Sequence, residues 1–143
     1  MGFFWTARNR RKGQTVAPCL MEVKFALNAD IGEVHQQLTR YYEAVKVNAV
    51  RIAEDAESAF RQRLELGLYD QAQARLAAMK TLTFAQDIEQ FQFILVMVDY
   101  NRRSSRLDFA RLANLPFASQ VKVFFSGFAM WEQGFVPANE LPG

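Results

Sequence analysis

Apolar and polar positions along this chain change period several times, and each change marks an element. Residues 3–7 open with Phe3, Phe4 and Trp5 and read as a strand. Residues 8–14 are polar around Gly13, the composition of a turn. Residues 15–27 turn apolar again and read as a second strand, so the first two strands form an antiparallel hairpin. Alternation along this strand puts Glu22 and Lys24 on one face and Met21, Val23 and Phe25 on the other. Asn28-Ala29-Asp30 then breaks the pattern.

Asp30 is placed to cap a helix, with Glu33 three residues on in a near capping box. Val34, Leu38, Tyr41, Val45, Ala49, Ile52, Ala56 and Phe60 follow at steps of three or four, one apolar stripe of a long amphipathic helix. Its length leaves room for an internal break, and Gly67 supplies the stop. Of the adjacent pair Tyr41 and Tyr42, one must turn to the core. A second helix is expected over residues 70–79. Residues 91–100 form the strongest strand, apolar enough for burial on both faces. Ser104 or Ser105 then starts a short helix through Ala113, which Pro116 ends. Residues 120–130 read as a further strand, with Val121, Val123 and Phe125 on one face. Phe124, Phe125, Phe128 and Trp131 have the character of core aromatics. Residues 132–143 contain two prolines and two glycines and read as a tail. Strands separated by helices imply an α/β fold, a mixed sheet of about four strands flanked by helices, in a single domain over residues 1–131.

Composition narrows the classes. The chain has 143 residues, half of them apolar, enough for one real core. A net charge of +2 permits nucleic-acid binding without arguing for it. Its distribution says more. No Asp or Glu occurs before Glu22, while Arg8, Arg10, Arg11 and Lys12 cluster in the first turn. That cluster suits phosphate, and a solvated basic turn is the plainer reading. Cys19 is the only cysteine and His35 the only histidine, which excludes an intrachain disulfide and a zinc site of the usual Cys/His kind. A reducing, cytoplasmic setting is the default. No apolar run reaches membrane-spanning length, so no membrane partner is expected. His35 reads as a surface residue, and no Ser/His/Asp constellation or Gly-rich phosphate loop is present. Arg102, Arg103 and Arg106, after the strongest strand, could meet phosphate or simply line a solvated loop.

Glu22-Val23-Lys24 carries the sharpest chemistry. Charged side chains seldom sit mid-strand in a core without partners or a task. A carboxylate beside an ammonium suits a divalent cation and an attacking water. The next helix bears Gln37 and Tyr41 one turn apart on one face. These residues resemble the second half of the PD-(D/E)XK nuclease signature. Gln37-Leu38-Thr39-Arg40-Tyr41 resembles the Gln-x-x-x-Tyr motif of the branch that includes recombination-helicase nuclease domains. The resemblance covers roughly residues 3–45.

The resemblance implies a restriction-endonuclease-like core and Mg²⁺-dependent hydrolysis of DNA phosphodiesters. Glu22 would be a metal ligand and Val23 would offer its backbone carbonyl. Lys24 would orient water or stabilise charge, and Gln37 and Tyr41 would brace the site and touch the nucleic-acid backbone. The family also places an Asp on the strand before the Glu-x-Lys strand, and usually another acid on an earlier helix. Neither is in this sequence, and the core's N-terminal elements are missing with them. The expectation is therefore the C-terminal part of a nuclease, with Mg²⁺ weakly bound or absent and cleavage feeble in this chain alone. The alternative is a non-catalytic nucleic-acid- or protein-binding module, with Glu22 and Lys24 an ordinary ion pair. An exposed sheet edge near the start invites pairing between copies, as a homo-oligomer.

Overall fold

The computed structural model describes residues 2–4, 15–101, 104–126 and 135–140. The elements run β1 (Gly2–Phe4), β2 (Thr15–Phe25), α1 (Val34–Val47), α2 (Ala49–Glu65), α3 (Gln73–Met79), β3 (Thr83–Phe84), β4 (Gln92–Val98), α4 (Phe109–Ala113), β5 (Val121–Ser126) and β6 (Phe135–Pro137). The fold is α/β, a mixed sheet with helices, as the alternation of periods implies. The chain gathers into two compact units, residues 1–19 with 45–91 and residues 20–44 with 92–143.

In the first unit β1 runs antiparallel to the start of β2, with Gly2 opposite Cys19 and Phe4 opposite Ala17. On its other side, β2 takes the two-residue β3 in parallel, Val16 opposite Phe84. Two residues are too few to carry a period, so β3 left no trace in the pattern. The long amphipathic stretch is two helices, broken at Asn48, whose φ of −120° and ψ of 17° leave the helical region. α2 buries Ala49, Ala53 and Phe60. The Phe60 ring lies 5.6 Å from both Tyr69 and Phe84. Gly67 follows with φ +68°, the left-handed stop expected of it. Arg61 on α2 donates to the carbonyls of Lys80 (2.6 Å), Met79 (3.4 Å) and Leu82, where the chain leaves α3. Glu57 holds Arg61 from one turn away at 3.1 Å and accepts the Phe84 amide at 2.9 Å.

The second unit supplies the scaffold of the site. Its strand order is β2, β4, β5, β6. β4 and β5 are parallel, Phe93 opposite Val121 through Val98 opposite Ser126, with α4 in the connection between them. Phe93, Leu95 and Met97 on β4 and Val121 and Val123 on β5 are fully buried, with Phe125 nearly so. Ile94 buries the opposite face of β4, while Val96 and Val98 are half-buried. α4 starts later than its serines suggest, because Asp108 is the cap and accepts from the Arg111 amide at 3.2 Å. Residues 132–143 are more than a tail. Phe135–Pro137 pairs antiparallel with β5, Val136 opposite Val123, and Ala138 is fully buried. The proline and glycine content there conceals the short strand between them. Phe128 and Trp131 lie outside the described residues.

Candidate active site

The second half of β2 inverts the usual polarity of a sheet strand. Its apolar side chains Met21, Val23 and Phe25 are 54%, 47% and 54% exposed, while Lys24 between them is only 4% exposed. The charged pair therefore faces the packed side and the hydrocarbon faces out. A buried ammonium must find compensating partners or lose its charge. Lys24 finds two. Its Nζ lies 3.2 Å from Glu22 Oε1 and 2.5 Å from Asp30 Oδ2.

Asp30 reaches Lys24 because of the turn that follows β2. The Asn28 amide donates to the Phe25 carbonyl at 2.9 Å, and a single 3₁₀ turn, Ala29–Glu33, starts there. Ile31, 2% exposed, pins the turn to the core. Arg106 secures it from the other end of the sequence, donating to the Ala26 carbonyl at 2.7 Å and to that of Asn28 at 3.5 Å. Asp30 is therefore not the cap its spacing suggests, since Asn28 occupies that position and Asp30 sits inside the turn. Arg106 is likewise spent on backbone carbonyls. Arg102 and Arg103 lie outside the described residues.

α1 closes the constellation. Leu38 and Tyr42 turn to the core, and the Tyr42 ring stacks on Phe117 at 4.1 Å with an interplanar angle of 3°. That resolves the adjacent tyrosines: Tyr42 is core and Tyr41 is exposed. One turn apart, Gln37 and Tyr41 reach the charged cluster. Gln37 Nε2 donates to Asp30 Oδ2 at 3.0 Å, and the Tyr41 hydroxyl donates to Glu22 Oε2 at 3.3 Å. Gln37 Oε1 is buried with no partner among the described residues. The four residues singled out by the sequence thus meet in one cluster, joined by a fifth, Asp30, that the sequence reading assigned to a helix cap. The signal that could have found it is its chemistry: an acid in the turn between the Glu-x-Lys strand and the Gln-x-x-x-Tyr helix.

Electrostatics follow from the packing. Burial works to discharge Lys24, but hydrogen bonds and charge from Asp30 and Glu22 outweigh it, and its pKa stands above the usual lysine value. The Lys24 hydrogen bond lowers the Asp30 pKa; burial opposes this, and Gln37 adds to the lowering. The result is a protonated lysine held between the carboxylates of Asp30 and Glu22. Such a group donates hydrogen bonds and offers positive charge, and it is not disposed to accept a proton.

The basic cluster Arg8, Arg10, Arg11 and Lys12 lies outside the described residues. Among the described residues no group of three or more His, Cys, Asp or Glu side chains is placed to hold a metal ion, and no helix is long and apolar enough to cross a membrane. The carboxylate oxygens around the Lys24 ammonium are those of Glu22 and Asp30. Comparison with protein-family models, with curated proteins and with solved structures finds no match, so the chemistry of the site is read from its own side chains.

Proposed function

We propose that this chain carries the Glu-x-Lys half of a Mg²⁺-dependent nuclease site of the PD-(D/E)XK type, acting on DNA phosphodiesters. What supports the reading is one convergence. Glu22, Lys24, Gln37 and Tyr41, the residues of two separate motifs, meet in a single hydrogen-bonded cluster around a buried ammonium. A charge buried for stability alone is a poor bargain; a charge buried beside a carboxylate that could hold a cation has a use.

The donor set fits a hydrated magnesium ion, which takes oxygen ligands and keeps several waters, so one or two protein ligands suffice. Glu22 and the Val23 carbonyl would hold it. When bound, Mg²⁺ supplies Lewis-acid charge at the phosphoryl oxygens and makes a coordinated water a better nucleophile. Tyr41 orients the Glu22 carboxylate through Oε2. Lys24, held protonated, donates to the attacking water or a phosphate oxygen and stabilises charge that develops there. It does not act as the base; the water's proton would pass to a non-bridging phosphate oxygen or to solvent, and the leaving oxygen would be protonated from solvent. Arg8, Arg10, Arg11 and Lys12 enter by their charge alone, as backbone contacts. With Glu22 as the one carboxylate offered to the cation, hydrolysis by this chain is expected to be slow.

The test is cleavage of duplex and single-stranded DNA with Mg²⁺ and with a chelator, for the chain itself and for Glu22→Ala and Lys24→Ala. Slow metal-dependent cutting, lost in both variants, is expected. Cutting unchanged in either variant would refute the assignment. A second reading, a non-catalytic binding module, is favoured by the fact that Lys24 already pairs with both carboxylates. Salt-sensitive DNA binding without metal-dependent cutting would establish that reading instead.

A further inference from the structure

Asp30 stands outside both motifs, yet it makes the shorter of the two ion pairs to Lys24, 2.5 Å against 3.2 Å for Glu22. The same oxygen, Oδ2, also receives Gln37 Nε2 at 3.0 Å. Gln37 therefore reaches the ammonium through Asp30, and the connection runs Gln37 to Asp30 to Lys24. The turn that carries Asp30 is fixed independently of the site, by Ile31 in the core and by Arg106 on the carbonyls of Ala26 and Asn28.

This arrangement matters once Glu22 is asked to hold a cation. A divalent ion on the Glu22 carboxylate draws that negative charge away from Lys24 and repels the ammonium. With Glu22 as its sole partner, a buried Lys24 would then be driven out of place. A carboxylate that no cation claims removes the difficulty. We propose that Asp30 is a positioning residue: with Gln37 behind it, its carboxylate anchors the Lys24 ammonium beside Glu22 and keeps it there when Glu22 is engaged by a cation. The proposal rests on the hydrolytic reading for its purpose, and on the Lys24–Asp30 geometry alone for its first test.

That first test reads the ammonium directly. In protein labelled with ¹⁵N-lysine, a side-chain NH₃⁺ held in ion pairs exchanges slowly enough to give a resolved signal, assigned to Lys24 by its loss in Lys24→Met. The signal is expected to survive addition of Mg²⁺ and to survive Glu22→Gln. In Asp30→Asn it is expected to weaken or vanish, with partial return in Asp30→Glu, while circular dichroism shows each variant folded. An undiminished signal in folded Asp30→Asn, with and without Mg²⁺, would overturn the proposal whatever the chain does to DNA. The second test is kinetic. Asp30→Asn is expected to lower kcat about 10- to 100-fold with KM within about twofold, the signature of a misplaced group rather than lost binding. If Glu22→Ala and Lys24→Ala abolish cleavage and Asp30→Asn leaves kcat unchanged, the positioning role falls and the hydrolytic reading stands. If neither of those variants affects cleavage, the hydrolytic reading falls, and the lysine signal alone decides whether Asp30 anchors Lys24.

Discussion

Replacing Lys24 by methionine separates two reasons for burying a lysine. Its side chain is 5% exposed, so its methylenes are packed like those of a core residue. Lys24→Ala removes three of them, at about 0.8 kcal/mol each, and leaves a cavity, for a total cost of about 2–4 kcal/mol. Lys24→Met keeps that volume and removes only the charge. Burying an ammonium costs several kcal/mol, which the two carboxylates offset rather than exceed. Glu22 and Asp30 are left without it but are not stranded, because their side chains are 21% and 43% exposed and can hydrate. The expected change for Lys24→Met is therefore within about 1 kcal/mol of zero, in either direction. Urea denaturation followed by tryptophan fluorescence and circular dichroism reads both variants, with the slope checked for constancy. A loss above about 3 kcal/mol for Lys24→Met, matching or exceeding that of Lys24→Ala, would overturn this expectation. It would mean that the ammonium is a structural keystone rather than a group kept for its chemistry.

Two further outcomes follow from the same structure. Arg61→Met should cost about 2 kcal/mol, because three carbonyls after α3 and the Glu57 carboxylate lose a charged donor at a half-exposed site, with Arg61→Lys recovering only part; a midpoint shift in urea equivalent to under about 0.5 kcal/mol would contradict this. Stability should also show a plateau with opposite limbs. The depressed pKa of Asp30 contributes stability that is present above the unfolded aspartate value and lost as pH falls through the folded one. The raised pKa of Lys24 contributes stability present below the unfolded lysine value and lost as pH rises through the folded one. Asp30→Asn should flatten the acid limb, and an acid limb as steep as in the parent chain would show that other carboxylates govern it.

The elements with a clear period were legible in the sequence, and those without one were not. β2, β4 and β5 announced themselves by apolar runs, and α1 and α2 by a shared stripe whose length left room for a break without marking its place at Asn48. β3 and β6 are too short to have a period and exist because a neighbouring strand offers them hydrogen bonds. The site was legible as far as its residue types. Glu22, Lys24, Gln37 and Tyr41 carry motif spacing, and alternation put the first two on one face. Alternation could not say which face is buried, and here the charged one is. Asp30 was misread because an acid before a helical stripe satisfies the local rule for a cap. Its actual partner, Lys24, lies behind it in sequence, across the turn. Arg106 was equally opaque, since a hydrogen bond spanning eighty positions leaves no local mark.

That eighty-residue reach sets an order on assembly. Glu22, Lys24 and Asp30 are near neighbours along the polypeptide, yet the side chain that grips the backbone between Phe25 and Ile31 arrives only after β4 has been made and laid down. Closing so large a loop is entropically slow compared with forming α1 or the 3₁₀ turn. During synthesis, then, a ribosome-bound chain ending before residue 106 would already hold every charged group of the cluster while the hinge beneath Asp30 is still ungripped, and the cluster matures late, as one of the last parts of its unit to take shape.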